Sequence, residues 1–284
     1  FPNYPYQKPL IFDSHAHYDD AKFDEIRAEL LEELPSHGVC GVVNCGCDTA
    51  SSKAALALAE KYPYFYAAVG IHPENIGGGE VSEIEDLAHR KKCVAIGEIG
   101  LDYYWVDDNK EQQRALFEEQ LVLANRLNLP VIVHDRDAHA DTLELLKKHR
   151  PKGVVHSFSG SAEMAKEILN LGMYIGIGGV LTFKNAKKLP EIAAALPSDR
   201  FLLETDAPYL APVPYRGRPN HSKYIPLIAQ KLAWLKGMLD DAAKNCKQIR
   251  VYFENSAAAR SVYDALRLMD IFHGMGLYVG SVVL

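Results

Sequence analysis

The sequence predicts an α/β fold, a single (β/α)8 or TIM barrel, from three observations. Eight short β-rich runs recur along the chain, and most are followed by an amphipathic stretch. Strand–helix alternation of that kind gives a parallel sheet, and eight units can close into a barrel. Histidines and carboxylates stand at the ends of these runs, the end of a barrel at which active sites are built. The 284 residues are also long for two small domains and normal for one barrel, which typically has about 250.

The β-rich runs cover residues 9–18, 39–48, 64–73, 93–102, 130–137, 153–160, 173–183 and 201–210. Each is dense in Val, Ile, Phe, Tyr or Leu and ends in Gly, Pro, Asp or Ser, as buried strands do. Helical spacing of apolar residues fills the segments 49–61, 110–128, 140–149, 162–171 and 186–195, for example Leu116, Leu123 and Leu127. Residues 225–263 read as closing helices; the tail 264–284, apolar and Gly-broken over 271–284, has no legible role. An open doubly wound sheet is the competing arrangement. No Gly-rich phosphate fingerprint follows the first run, which counts against its dinucleotide-binding form. With no internal repeat or linker, the chain is expected to form one domain over 1–284, its core spanning about 10–263.

Composition narrows the class. No apolar run approaches the roughly 20 residues of a membrane span, and the first residues show no leader-like charged and apolar regions. The five cysteines have neither zinc-finger nor disulfide-framework spacing. A cytoplasmic protein without membrane attachment is therefore expected. Net charge of −6 argues against wrapping long duplex DNA, which needs a broad basic surface. A local grip on one strand end remains open to it.

The chemistry lies in the polar residues of the runs. Asp13-Ser14-His15-Ala16-His17 ends the first. Strand side chains alternate with period two, so His15 and His17 share a face and form a chelate for a borderline-soft divalent cation. Glu98 lies in the fourth run, His134 ends the fifth, His156 the sixth and Asp206 the eighth. A lone histidine near a buried strand is more often a hydrogen-bonded core residue, and a lone buried carboxylate needs a partner. Six such groups at equivalent strand ends do not fit packing. They would converge on the C-terminal mouth as a metal centre, and six ligands suit two cations sharing a carboxylate better than one. Histidines suit Zn or Mn and carboxylates tolerate Mg, so the metal's identity stays open.

Asp13-Ser14-His15-Ala16-His17, Gly97-Glu98-Ile99-Gly100-Leu101-Asp102-Tyr103, His134-Asp135-Arg136-Asp137-Ala138, His156-Ser157-Phe158-Ser159-Gly160 and Glu204-Thr205-Asp206-Ala207-Pro208-Tyr209-Leu210 together resemble the TatD family of metal-dependent deoxyribonucleases. The motifs follow the family's order from about Leu10 to about Tyr263. The resemblance implies a barrel of the amidohydrolase type with two divalent cations. It implies His15, His17 and Asp206 as ligands of the first, Glu98 as the bridge, and His134 and His156 as ligands of the second. Ser157 stands where the family often has Cys, and the tail after Tyr263 runs past the family's usual end.

Around the metals the reading is less specific. His72, in Gly70-Ile71-His72-Pro73, points near the mouth as a substrate contact or a capping histidine. Tyr103, Tyr104 and Trp105 follow the fourth run, where aromatics stack bases or simply pack; Phe158 and Tyr209 are further aromatics at the mouth. Lys184, Lys187 and Lys188 follow the seventh run, more simply as a solvated helix face. Arg216 and Arg218 follow the eighth, the habitual phosphate position of barrels, and arginine offers a bidentate fork. Cys45 and Cys47 share a face and read as small hydrophobes. The expected function is phosphodiester hydrolysis of single-stranded or frayed DNA ends, with Glu98 and Asp206 as catalytic carboxylates and Asp206 taking the water's proton. Removal of nucleotides from the 3′ side is implied by the resemblance alone. The alternative is a small-molecule hydrolase on the same scaffold, acting on a lactone, an amide or a deamination substrate. No obligate protein partner is expected.

Overall fold

The computed structural model describes residues 10–105 and 108–237. Eight parallel strands stand in chain order: β1 (Ile11–Ala16), β2 (Val39–Cys45), β3 (Phe65–Val69), β4 (Cys93–Asp102), β5 (Val131–Arg136), β6 (Gly153–Val155), β7 (Tyr174–Ile177) and β8 (Phe201–Leu203). The sheet returns on itself. Ala16 bridges Ala207 in parallel, and the amides of His17 and Asp206 donate to Ala207 O and His15 O at 2.7 and 2.9 Å. The barrel is the one the alternation predicts.

A helix follows each strand: α1 (Arg27–Glu33), α2 (Thr49–Lys61), α3 (Val81–Ala88), α4 (Lys110–Leu127), α5 (His139–His149), α6 (Ala162–Asn170), α7 (Lys188–Ala195) and α8 (Ile225–Leu235). Their starts are written locally. Asp48 accepts from Ser51 N to cap α2, and Ser161 accepts from Met164 N to cap α6, satisfying amides that have no partner within the helix. Of the closing helices expected over 225–263, α8 is described; the rest of that span and the tail 264–284 lie outside the described residues. No helix among the described residues is long and apolar enough to cross a membrane.

Two apolar layers hold the strands. Val131 and Val133 of β5 join helix residues such as Phe117 and Leu145 in the outer layer, while Ile132 packs inside the barrel with Phe12, Val43, Val94, Val154 and Leu202. That is the period-two alternation of a strand buried on both faces. Each fully buried Leu, Ile or Phe contributes about 1.5–3 kcal/mol. Cohesion therefore sits in these layers and leaves the mouth free to carry polar groups.

The fourth run, 93–102, is strand from end to end. The last three runs are shorter in the structure than their composition predicts. Ser157 and Asp206 take left-handed φ of 42° and 57°, and Gly179–Thr182 forms a 3-10 turn. His17, His156 and Asp206 consequently stand just beyond their strands, on the first residues turning over the mouth.

Candidate metal centre

Pairing of β1 with β2 is irregular between Asp13 and Ala16. Phe12 points into the barrel, so strict alternation would send His15 outward with Asp13. The irregularity brings it inward, fully buried, with its Nε2 3.0 Å from His17 Nε2. Asp13 instead holds the β1–β8 seam, accepting from Thr205 N and Oγ1 and from Ser222 Oγ at 3.0, 2.6 and 2.7 Å. Thr205 is thereby fixed next to Asp206.

Four donor atoms converge on that side. His15 Nε2 lies 3.4 Å from Glu98 Oε2 and 3.6 Å from Asp206 Oδ1, and His17 Nε2 lies 3.4 and 3.5 Å from the same oxygens. Ligands 2.0–2.1 Å from a tetrahedral ion stand about 3.4 Å apart, so the spacing fits one cation. The other oxygen of Glu98 serves a second nest. Oε1 is 2.6 Å from His156 Nε2 and 2.9 Å from His134 Nδ1, and those two nitrogens are 3.3 Å apart. One carboxylate thus faces two imidazole pairs with different oxygens, the disposition of a bridge.

Orienting groups prepare these rings. The Nδ1–H of His17 donates to Cys45 O at 2.9 Å, which leaves Nε2 as the lone pair. The Nε2–H of His134 donates to Asp102 Oδ2 at 2.9 Å, which leaves Nδ1. Ligating histidines are normally fixed in this way through the second ring nitrogen. His15 stacks on His156 with centroids 4.0 Å apart, and Cys45 Sγ lies 3.3 Å from His15 Nδ1. Cys45 and Cys47 stand beside the cluster, not in it.

The electrostatics call for cations. Burial alone would raise Glu98, yet His156, His15 and His72 hold it well below the ordinary carboxylate range. Asp206 is held low against burial by His17, His15 and His156. Burial and the neighbouring His156 push His15 down to about 4, a neutral imidazole. His134 goes the other way. Against burial, Asp102 and Glu98 hold it up at about 10. Two buried anions among imidazoles, of which His17, His134 and His156 are all held above the usual value, suit a cationic occupant that takes over this positive charge and needs these nitrogen lone pairs.

His72 stands next to the second nest, with Nε2 3.5 Å from Glu98 Oε1. Its Nδ1 accepts from Glu74 N at 3.2 Å, so the neutral ring carries its proton on Nε2 and presents a donor rather than a lone pair. The remaining candidates stand apart from the cluster. Tyr103 is packed against the core, and its hydroxyl donates to Asp141 Oδ2 at 2.7 Å. Arg216 and Arg218 are exposed on the turn after β8, Arg216 lying 3.7 Å over the Phe183 ring. The structure thus gathers all six expected ligand residues, with His72 beside them.

Two groups at the centre have no assignment from sequence. Asp102 has a signal, since it lies four residues beyond Glu98 and so shares its parity on β4. Glu204 has none. It is fully buried, pushed up to about 8 by burial, with Oε1 3.8 Å from His156 Nδ1.

The chain has relatives among known proteins. The family model described as TatD related DNase matches residues 12–251. An uncharacterized metal-dependent hydrolase, YabD of Bacillus subtilis (strain 168), is 39% identical over 235 residues, covering 81% of this chain and 92% of that protein. The 3'-5' ssDNA/RNA exonuclease TatD of Erwinia tasmaniensis is 35% identical over 250 residues, covering 84% and 96%. Among solved structures, the TatD homolog YJJV of Escherichia coli K12 superposes with a TM-score of 0.79 at 32% identity, covering 91% of this chain and 97% of that one.

Proposed function

The chain belongs to the TatD-related DNase family of metal-dependent hydrolases, and from that premise we propose that it is a deoxyribonuclease removing nucleotides from the 3′ end of single-stranded or frayed DNA. One observation carries the reading. The two oxygens of Glu98 are divided between two imidazole nests, a layout suited to a phosphate held between two charges. The 3′ polarity rests on the family and on the name of the Erwinia relative. The barrel acts as one domain, in the cytoplasm and without an obligate protein partner.

In this reading His15, His17 and Asp206 would hold the first cation and His134 and His156 the second, with Glu98 offering an oxygen to each. Bound divalent cations, whether Mg, Mn or Zn, supply Lewis-acid charge for water activation and phosphate neutralisation. Asp206, kept ionised by the surrounding histidines, accepts the proton of the attacking water. His72 donates from Nε2 to a phosphate oxygen, since its other nitrogen is engaged by Glu74 N. Arg216 and Arg218 meet the next phosphate from the turn after β8. Tyr103, tied to Asp141, braces the loop after β4 and offers substrate only its ring.

The test is an end-labelled oligonucleotide, single-stranded and then duplexed, with Mg, Mn or Zn and with chelator. With the label on the 5′ end, the expected result is a ladder shortening from the 3′ end, faster on the single strand and abolished by chelation. Release from the 5′ end would correct the polarity. Turnover of a lactone or amide, with no nucleic acid cut under any metal, would transfer the site to small-molecule hydrolysis.

A further inference from the structure

Among the described residues, four large aromatic side chains are exposed: Tyr104 at 53%, Trp105 at 63%, Tyr209 at 42% and Trp234 at 52%. Trp234 belongs to α8 on the outside of the barrel. The other three stand on loops of the mouth, and each is paired with a cation. The Arg136 guanidinium lies 3.9 Å from the Tyr104 ring centre and 5.2 Å from that of Trp105. Lys22 Nζ lies 3.9 Å over Tyr209. Among the described residues neither cation has a carboxylate within ion-pair distance.

Each platform is tied to one half of the metal centre. Asp102, which orients His134, also accepts from the amides of Tyr104 and Trp105 at 2.9 and 3.4 Å. Arg136 closes β5 two residues after His134. On the other side Tyr209 N donates to Asp206 O at 2.7 Å, and its hydroxyl donates to Asp20 Oδ2 at 2.6 Å. The first platform marks the β4–β5 seam and the second the β8–β1 seam. In a ring of eight strands taken in chain order these seams lie diametrically opposite, with the carboxylates and imidazoles between them.

We propose that a single DNA strand lies across the mouth along this diameter, one unpaired base stacked on Trp105 beside Arg136 and another on Tyr209 beside Lys22. The proposal rests on the deoxyribonuclease reading and extends it. Aromatic faces accept any base, whereas bases inside a duplex are already stacked and unavailable. Guanidinium and ammonium groups meet the flanking phosphates and supply locally the positive charge that a chain of net charge −6 lacks overall. A small lactone or amide would leave both platforms idle.

The experiment measures binding apart from turnover. A fluorescein-labelled hexathymidylate with phosphorothioate linkages is titrated with the metal-loaded full-length protein and followed by anisotropy. Trp105→Ala, Arg136→Gln and Tyr209→Leu are each expected to weaken binding by about tenfold, in keeping with the loss of one stacked base or phosphate contact. Trp105→Phe should restore most of it, and Trp234→Phe should change nothing. A hexamer made abasic throughout should bind wild type no better than the thymidine strand binds the Trp105→Ala variant. Wild-type affinity in the Trp105→Ala variant, or equal binding of the abasic strand, overturns the platform. The two readings fail separately. A protein that binds the strand through Trp105 but cuts only a lactone sinks the deoxyribonuclease and keeps the platform. One that digests DNA with an unaltered KM after Trp105→Ala does the reverse.

Discussion

The two halves of the metal centre share Glu98 and are otherwise built on different plans. On the β8–β1 side His17 is oriented by a main-chain carbonyl, Cys45 O, and His15 by stacking and a thiol. On the β4–β6 side His134 is oriented by a carboxylate, Asp102, which also holds the loop of Tyr104 and Trp105. The electrostatics differ ring by ring. Burial and His156 push His15 down to about 4, while against burial Asp102 and Glu98 hold His134 up at about 10, and Cys47, Asp206 and Glu98 hold His17 well above its usual value. A carbonyl fixes a ring without adding a full charge, whereas a carboxylate fixes it and makes it more basic. Each half nonetheless holds a raised imidazole, His17 in the first and His134 in the second, so both must release a proton to receive a cation.

The largest effect should come from removing what the halves share. Glu98→Ala is expected to lower turnover by orders of magnitude and to reduce occupancy at both positions, with the fold intact by circular dichroism because the apolar layers do not depend on metal. Elemental analysis decides it, since a variant retaining two metals per chain would end the bridge assignment. His15→Ala and His134→Ala should each lose one ion and leave the other.

Asp102→Asn separates the halves. The amide keeps the shape of the orienting group without its charge, so affinity at the second position should fall about 10–100-fold, and the first should be unaltered. Equal weakening at both positions in a calorimetric titration would mean the halves are not independent. Arg218→Ala should act on substrate alone. Loss of one charge-assisted phosphate contact, about 1.5–3 kcal/mol, is expected to raise KM for the oligonucleotide with metal content unchanged. An unaltered KM and salt dependence would remove the turn after β8 from the site.

The smallest effect is one of pH. His134 is protonated in the metal-free protein below about 10, and ligation needs its Nδ1 free. Binding at the second position should release about one proton between pH 7 and 9, read as a dependence of the binding heat on buffer ionisation enthalpy. In the Asp102→Asn variant this release should diminish. The sign for stability is the ordinary one for a raised histidine. Its contribution to the metal-free fold is complete below about 6.5 and is lost as pH rises through about 10.

Much of this centre was legible in one dimension. Glu98 and His134 lie inside continuous strands, where a buried ionisable group needs a reason, and His15 and His17 share a face by simple alternation. The strand ends were less legible. Phe158, Ala207 and Leu210 carry an apolar pattern past the last strand residues, because the chain turning over the mouth is itself buried at Phe158 and Ala207. Composition cannot register the left-handed turns at Ser157 and Asp206 that end the extended backbone.

By itself the sequence determined the barrel and the polar residues at its strand ends, because strand–helix alternation and the places where it breaks are written in chain order. Tertiary structure decided how those residues act. It turned His15 inward through the irregular β1–β2 register, divided the two oxygens of Glu98 between facing imidazoles, and gave His72 the proton of a donor through Glu74 N. It also bent the Tyr103 hydroxyl away to Asp141 and set Arg136 over Tyr104. Each of these is a contact between segments or a choice of ring nitrogen, fixed by distances of a few ångströms that spacing along the chain does not encode.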